Sequence, residues 1–296
     1  MTLLEKIDAY ERLMRLNKPI GILLLLWPTL WALWLSAPGL LRFDLLLIFI
    51  MGTVLMRSAG CVINDYADRN IDPRVKRTQD RPLASGQVRP GEALVLAGVL
   101  IAVAFVLVLH LPRLAIYLSF VGLAVTLVYP FLKRFFVFPQ AALGIAFSFG
   151  IPMAYAAQRG AVPGVALAMM AATWFWIIAY DTEYAMVDRD DDVAIGVHSS
   201  AIALGRYDVA AVMACHALFL AIMAGIGYWH RLSAFYYGGL VLAAGLVAYQ
   251  YRLIEGRDRE RCFRAFLNNN WVGMAVFGGL LLDMMLANRI YYGIAR

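Results

Sequence analysis

Residues 44–64, DLLLIFIMGTVLMRSAGCVIN, form an apolar stretch whose only charged residues are Asp44 at its start and Arg57 in its interior. A helix needs about 20 mainly apolar residues to cross the hydrocarbon core of a bilayer, which is roughly 30 Å thick. This stretch is long enough, and similar stretches lie on both sides of it along the chain. We predict an all-α polytopic membrane protein with nine transmembrane helices, near residues 18–37, 44–64, 91–110, 114–132, 138–158, 163–184, 208–229, 234–252 and 270–288.

The composition of the 296-residue chain supports a membrane protein and excludes an ordinary soluble domain. The chain is 62% hydrophobic and 16% charged, whereas soluble domains average about 45–50% apolar and about 25% charged residues. The formal net charge of +6 does not predict nucleic-acid binding, because excess Lys and Arg in a membrane protein reports its topology. Cys61, Cys215 and Cys262 lie far apart and suggest neither a disulfide framework nor a zinc site.

Lysines and arginines are distributed unequally between the two sets of loops that nine helices would create. Nineteen of the 26 lie on the side of the amino terminus and six on the opposite side, while Arg57 lies within a predicted helix. By the positive-inside rule, we expect the amino terminus and the two longest loops, near residues 65–90 and 185–207, to be cytoplasmic.

Half of the 20 acidic residues are concentrated in or just before those two loops. The first acidic cluster consists of Asn64, Asp65, Asp68 and Asp72, and the second consists of Asp181, Asp188 and Asp192. If the helices continue past the membrane surface, spacings of three, four and seven residues place each cluster on one helix face. Carboxylates four residues apart repel each other, and a divalent cation would offset the cost.

Oxygen ligands with little cysteine or histidine nearby favour Mg²⁺, which binds one or two carboxylates and completes its coordination with water and substrate phosphate. Basic residues follow both clusters: Lys76, Arg77 and Arg81 after the first, His198 and Arg206 after the second. Arg and Lys donate hydrogen bonds to phosphate oxygens. Any one of these residues, taken alone, is explained equally well by an ion pair with a neighbouring charged side chain at a solvated helix end. The set as a whole predicts a site for Mg²⁺ and a diphosphate.

The two clusters carry a resemblance to a known family. At Asn64-Asp65-x-x-Asp68-x-x-x-Asp72 and Asp181-x-x-Tyr184-Ala185-x-x-Asp188-x-x-x-Asp192 the chain resembles the UbiA-type intramembrane aromatic prenyltransferases. Residues 17–21 (NKPIG), 27–32 (WPTLWA), 76–78 with 81–83 (KRT and RPL) and 129–134 (YPFLKR) are similar to the bacterial branch that uses 4-hydroxybenzoate. The likeness runs from about residue 10 to the carboxyl end.

The resemblance implies a fold, a reaction and a location. The fold would be a single transmembrane prenyltransferase domain over residues 1–296, with nine helices around a central cavity that opens sideways to lipid. The reaction would be the Mg²⁺-dependent transfer of a polyprenyl group from polyprenyl diphosphate to 4-hydroxybenzoate, ortho to its hydroxyl, in ubiquinone biosynthesis. The location would be the bacterial inner membrane.

The resemblance also implies roles for individual residues. Asn64, Asp68, Asp188 and Asp192 would bind the Mg²⁺-diphosphate, supported by Asp65, Asp72 and Asp181, and Lys76, Arg77 and Arg81 would belong to a basic substrate-binding loop. Tyr129 and Lys133 match a Tyr-x-x-x-Lys pattern near the diphosphate, and we expect them to be catalytic together with Asp68 and Asp188. His198 departs from the pattern, because the nearest members often have Lys there.

Arg57 is an unusual residue for a transmembrane helix. It precedes Asn64 by seven positions, which places it on the same helix face and about 10 Å deeper in the membrane. An intramembrane arginine costs roughly 2.5–3.5 kcal/mol on insertion scales and commonly marks a functional cavity or a paired charge. We interpret Arg57 as the anchor for the carboxylate of 4-hydroxybenzoate; the alternative is a structural ion pair with a nearby acid.

Two other functions are compatible with parts of the sequence. An ion-coupled transporter also carries polar residues in a helical bundle, but its site is typically near the bilayer midplane at broken helices, whereas these acids lie at helix ends. A prenyltransferase with another aromatic acceptor, such as haem, homogentisate or naphthoate, is the second alternative.

Overall fold

The computed structural model describes residues 2–37, 41–132, 136 and 138–287 of the chain. Over these residues the secondary structure is helical and no strand is present, which confirms the all-α prediction for them. The α-helices are α1 (Leu3–Leu13), α2 (Ile20–Ser36), α3 (Phe43–Asp68), α4 (Pro90–Val108), α5 (Arg113–Leu132), α6 (Pro139–Ser148), α7 (Gly150–Arg159), α8 (Gly164–Ile195), α9 (Ser200–Leu204), α10 (Asp208–Trp229), α11 (Ala234–Ile254) and α12 (Arg259–Leu282).

Seven segments of the described chain are long and apolar enough to cross a membrane. They are Phe43–Asp68, Pro90–Val108, Arg113–Pro130, Pro139–Arg159, Gly164–Ile195, Ser200–Trp229 and Arg259–Leu286. α2 is also apolar but has only 17 residues. Each of the nine predicted segments coincides with a helix or a pair of helices, and the number of nine crossings stays a prediction.

The fifth predicted segment, residues 138–158, is broken into α6 and α7 at Phe149. The physical reason is Pro152, which has no N–H to donate to the carbonyl of Ser148 in the preceding turn. At the same break, a Cβ on Gly150 would lie 2.2 Å from Thr29 Oγ1 of α2. The break therefore allows α7 to pack closely against α2.

Three helices extend beyond the predicted membrane segments, all on the side that carries the acidic clusters. α3 continues to Asp68, α12 begins at Arg259, and α8 continues to Ile195. Residues 185–195, placed in a long loop by the sequence, are thus helical. Gly196 ends α8 in the left-handed conformation with φ 73°, which a residue without Cβ adopts at no steric cost.

The helices form a tightly packed region and a more open one. In the packed region, the Trp31, Trp176 and Phe219 rings of α2, α8 and α10 lie with centroids 5.4–5.9 Å apart. α11 and α12 approach so closely that a Cβ on Gly239 would lie 2.8 Å from the Cα of Gly279, as expected where small residues line a helix interface. α3, α4 and α5 border the open region, which contains the site.

Candidate active site

A cavity of about 1590 Å³ lies between α2–α8 and the start of α12, and we call it the central cavity. Its polar end includes Asn64, Asp65 and Asp181, and apolar side chains such as Leu24 and Leu123 line its deeper part. The cavity thus brings the two acidic clusters to one compartment. Of the predicted site residues, those that line it are Arg57, Asn64, Asp65, Arg77, Arg81, Tyr129 and Asp181.

The first acidic cluster begins on the last two turns of α3. Asn64 Nδ2 donates a 3.3 Å hydrogen bond to Asp68 Oδ2 one turn later, as their spacing of four residues predicts. Asp65 is fully buried, and its Oδ1 accepts from Arg15 Nη2 at 2.8 Å and from Arg81 Nη1 at 3.1 Å. Two arginines from separate parts of the chain therefore neutralise this carboxylate.

Asp72 follows α3 in a short 3₁₀ turn, Asp72–Arg74. Arg81 Nη1 donates to both of its carboxylate oxygens, at 3.1 and 2.9 Å. Burial raises the pKa of Asp72 above its ordinary value, and the neighbouring Asp65 and Asp68 charges add to this, while the Arg81 charge opposes it. Burial alone lowers the pKa of Arg81, but the charges of Asp65 and Asp72 reverse the direction and raise it. The guanidinium is accordingly charged and fixed between two acids.

The second acidic cluster lies on α8, where it extends beyond the predicted membrane segment. Arg77 Nε donates to Asp188 Oδ1 at 2.9 Å and Oδ2 at 3.2 Å, and Arg77 Nη2 also donates to Oδ2. The same guanidinium lies over the Tyr184 ring, 4.6 Å from its centroid. Arg77 thereby connects the segment after the first cluster to the second cluster.

Arginines offset part of the repulsion between carboxylates in both clusters, through ion pairs with Asp65, Asp72 and Asp188. Within the described part of the chain, no three His, Cys, Asp or Glu side chains converge closely enough to form a ready metal site. The donor set nevertheless fits Mg²⁺, because it consists of carboxylate and amide oxygens. Asp65 Oδ2 supports this fit, since it is buried and has no hydrogen-bond partner in the structure. Asn64, Asp65 and Asp181, which carry such oxygens, are among the residues that line the cavity.

Not every predicted site residue reaches the central cavity. Asp68, Asp72 and Asp188 are buried beside it but do not line it. Lys76 is exposed and Asp192 is half-buried, and neither lines the cavity. Lys133 lies outside the described residues.

Arg57 projects into the central cavity without a carboxylate partner. Its Nη1 donates to Cys61 Sγ at 2.6 Å, and its guanidinium carbon lies 5.9 Å from the centroid of the Phe147 ring. Its Nε is buried and has no hydrogen-bond partner. Among the residues that the structure describes, Arg57 forms no ion pair with an acid, and its role as the anchor of the acceptor carboxylate stays a prediction.

Sequence reasoning missed Arg15, which was counted only as a topology signal. Arg15 lines the cavity and pairs with Asp65 across 50 residues of sequence. Its proximity to the NKPIG stretch was the available signal.

The aromatic residues of α8 occupy two different environments that the sequence does not distinguish. Tyr180 and Tyr184 line the cavity, whereas Trp176 is buried against Trp31.

Comparisons with known proteins find relatives that cover most of the chain. Residues 25–275 match the model of the UbiA prenyltransferase family. The chain is 62% identical over 286 residues to the 4-hydroxybenzoate octaprenyltransferase of Nitrosospira multiformis, with 97% of this chain and 99% of that protein covered. It is 56% identical over 285 residues to the protein of the same name from Nitrosomonas europaea, with 96% and 98% covered.

Solved structures share the fold. The apo structure of a UbiA homolog from Aeropyrum pernix superposes with a TM-score of 0.78 at 28% identity, covering 89% of this chain and 98% of that chain. A UbiA homolog from Archaeoglobus fulgidus bound to GPP and Mg²⁺ superposes with a TM-score of 0.68 at 16% identity, covering 91% and 99%. The second likeness is one of fold alone.

Proposed function

Because this chain belongs to the UbiA prenyltransferase family, we propose that it transfers a polyprenyl group from a polyprenyl diphosphate to 4-hydroxybenzoate. The bond forms ortho to the hydroxyl and gives 3-polyprenyl-4-hydroxybenzoate for ubiquinone biosynthesis. The names of the relatives at 62% and 56% identity support this acceptor. The structural observation that carries the proposal is a single cavity in which paired acids and arginines, a deeper guanidinium without a carboxylate partner, and apolar walls adjoin.

The diphosphate binds at the polar end of the central cavity. Arg15, Arg77 and Arg81 line this end, and each already donates to a carboxylate there. Phosphate oxygens compete for the same donors, because guanidinium groups bind phosphate and carboxylate with similar geometry. In this arrangement the arginines stabilise the charge that develops on the leaving diphosphate.

The acidic clusters provide the oxygen ligands of Mg²⁺, with Asn64, Asp68, Asp188 and Asp192 as principal ligands and Asp65, Asp72 and Asp181 in support. When bound, Mg²⁺ supplies Lewis-acid stabilisation of the diphosphate as the allylic C–O bond breaks and its electron pair leaves with the diphosphate. Binding of a hard cation also explains why carboxylates are concentrated where their mutual repulsion costs free energy. Asp68 and Asp188 are catalytic in this sense.

The allylic cation requires an enclosure that is poor in water and rich in electrons. Tyr129, Tyr180 and Tyr184 line the cavity, and aromatic ring faces attract a cation. The ring carbon of the acceptor attacks the cation, and loss of the proton from that carbon restores aromaticity. Lys133, four residues after Tyr129, is proposed to act at the diphosphate.

The acceptor carboxylate binds to Arg57, about 10 Å deeper than Asn64 along α3. A carboxylate in a low-dielectric cavity needs a paired cation or equivalent donors, and Arg57 has a guanidinium that is not paired with an acid of the described chain. The phenol ring then lies between Arg57 and the polar end of the cavity.

The polyprenyl tail lies along the apolar walls of α4 and α5. Phe105 and Phe120 line the cavity between these helices with ring centroids 5.5 Å apart, yet they are 37% and 52% exposed. We propose that the cavity opens toward lipid between these two helices, where both rings retain accessible surface. A long tail can extend through such an opening without a penalty for contact with water.

The chain is an integral membrane protein. We further propose that it is a single domain with nine crossings, that α2 and α11 are among them, and that the amino terminus faces the cytoplasm of a bacterium whose inner membrane holds the protein. The unequal distribution of Lys and Arg supports this orientation.

Purified protein in lipid or detergent tests the function directly. It is incubated with Mg²⁺, a polyprenyl diphosphate and a panel of phenols that includes 4-hydroxybenzoate, homogentisate and a dihydroxynaphthoate. We expect 3-polyprenyl-4-hydroxybenzoate as the main product by mass spectrometry. A preference for another acceptor would overturn the acceptor assignment, and the absence of any prenylated product would overturn the transferase assignment itself.

A further inference from the structure

The Arg57 guanidinium occupies space beside Gly21 of α2 that a side chain at that position would fill. A Cβ added to Gly21 would lie 2.7 Å from Arg57 Nη2, 2.9 Å from Nε and 3.2 Å from the central carbon. The central carbon is the farthest of the three atoms, so the missing side chain faces the Nε–Nη2 edge of the guanidinium and not its flat face. Contacts below about 3 Å are not tolerated, and any side chain at position 21 would force the guanidinium to move.

The opposite corner of the guanidinium is held by Cys61. Arg57 Nη1 donates to Cys61 Sγ at 2.6 Å, one helical turn further along α3. Nε has no hydrogen-bond partner, and the absence of a side chain at Gly21 leaves the space that this edge occupies. Gly21, Arg57 and Cys61 all line the central cavity.

We infer that Gly21 and Cys61 determine the selectivity for a carboxylated acceptor, because Gly21 leaves the space that the Arg57 guanidinium occupies and Cys61 accepts a hydrogen bond from it. This inference rests on the proposed function and goes beyond it by assigning two specificity-determining residues that do not themselves need to touch the diphosphate. A preformed donor binds a carboxylate without the entropic cost of ordering a long side chain. Displacement of about 1 Å at such a position can cost about 100-fold in rate.

Gly21→Ala is the decisive variant, and Gly245→Ala is its control. Gly245 also lies within a helix, α11, but it does not line the central cavity, and a Cβ there would contact nothing within 4 Å. Alanine is a better helix former than glycine, so neither change is expected to weaken its helix. We expect Gly21→Ala to raise the KM for 4-hydroxybenzoate by about tenfold or more, with an unchanged KM for the polyprenyl diphosphate. Gly245→Ala should resemble the wild type.

Cys61 is tested by a pair of variants. Cys61→Ala removes the acceptor for Arg57 Nη1, whereas Cys61→Ser retains one. We expect the alanine variant to lose selectivity for 4-hydroxybenzoate over a phenol without a carboxylate, and the serine variant to restore most of it. Equal selectivity in both variants and the wild type would overturn the role of Cys61.

Binding of 4-hydroxybenzoate by isothermal calorimetry provides a readout that does not depend on turnover. If Gly21→Ala and Gly245→Ala bind 4-hydroxybenzoate equally well, the inference is overturned, even if the wild type transfers the prenyl group as proposed. If the wild type neither binds nor prenylates 4-hydroxybenzoate but accepts another phenol, the acceptor assignment fails and this inference fails with it. Weaker binding of 4-hydroxybenzoate by Gly21→Ala, with unchanged binding by the control variant, supports the acceptor assignment and this inference.

Discussion

Replacement of Arg57 by leucine separates acceptor binding from diphosphate binding. In the structure, Arg57 forms no ion pair with a described residue, and its Nε has no hydrogen-bond partner. A hydrogen bond to a charged group contributes about 1.5–3 kcal/mol, and each 1.36 kcal/mol corresponds to about tenfold in rate. The contributions of the two hydrogen bonds in a guanidinium–carboxylate contact are not fully additive. We therefore expect Arg57→Leu to lower kcat/KM for 4-hydroxybenzoate by about 100-fold.

The same variant should leave the fold intact. No acid of the described chain loses a partner, and removal of an intramembrane arginine relieves a cost of roughly 2.5–3.5 kcal/mol on insertion scales. We therefore expect a Tm in detergent equal to or above that of the wild type.

The assay compares steady-state kinetics for 4-hydroxybenzoate, for a phenol without a carboxylate and for the polyprenyl diphosphate. We expect the loss to be confined to the carboxylated acceptor, so that the neutral phenol gains relative to 4-hydroxybenzoate. An equal loss for both acceptors, or a higher KM for the diphosphate with the acceptor KM unchanged, would refute the placement of the carboxylate at Arg57.

Four further predictions concern the metal, the topology and the stability of the protein. Asp188→Ala should abolish transfer in a folded protein, because it removes a proposed ligand of Mg²⁺. EDTA should abolish transfer by the wild type, and added Mg²⁺ should restore it. Activity of the variant at saturating Mg²⁺ would contradict this prediction. A cysteine at position 231, but not one at position 76, should react with a membrane-impermeant maleimide on intact cells, and the reverse pattern would invert the proposed topology. Asp208→Ala should lower the unfolding free energy by roughly 2–4 kcal/mol, which would be measured as a lower Tm. The reason is that the fully buried Asp208 carboxylate pairs with Arg189 and Arg257, whose side chains are 32% and 38% exposed. Burial and a nearby arginine lower the pKa of His230. The contribution of His230 to stability is therefore present above about pH 6.5 and is lost as the pH falls through the lowered pKa. His230→Gln should lessen the drop in Tm toward acidic pH, and an unchanged drop would refute this prediction.

Local patterns in the sequence were sufficient for several features. The apolar stretch at 44–64 predicts a membrane helix, because crossing the bilayer requires only length and apolar composition. The four-residue spacing of Asn64 and Asp68 predicts their contact, which the structure shows at 3.3 Å, because the helical repeat fixes which side chains are neighbours. Pro152, by contrast, did not enter the prediction of the fifth segment, which the structure divides into two helices. The predicted membrane segment 163–184 covers only part of α8, which continues to Ile195 and carries the second acidic cluster on a helix.

Tertiary packing alone decided which charges meet and what the central cavity contains. Arg77 and Asp188 are separated by 111 positions, and no local rule connects them, because the contact depends on how α8 lies beside the segment after α3. The proximity of Gly21 to Arg57 likewise follows from the packing of α2 on α3. The sequence determined by itself that the chain enters a membrane and concentrates acids at one surface, since these properties follow from composition and helical periodicity. Whether those acids face a cation, a substrate or an arginine depends on distances of a few ångströms between distant segments, and only the folded chain sets such distances.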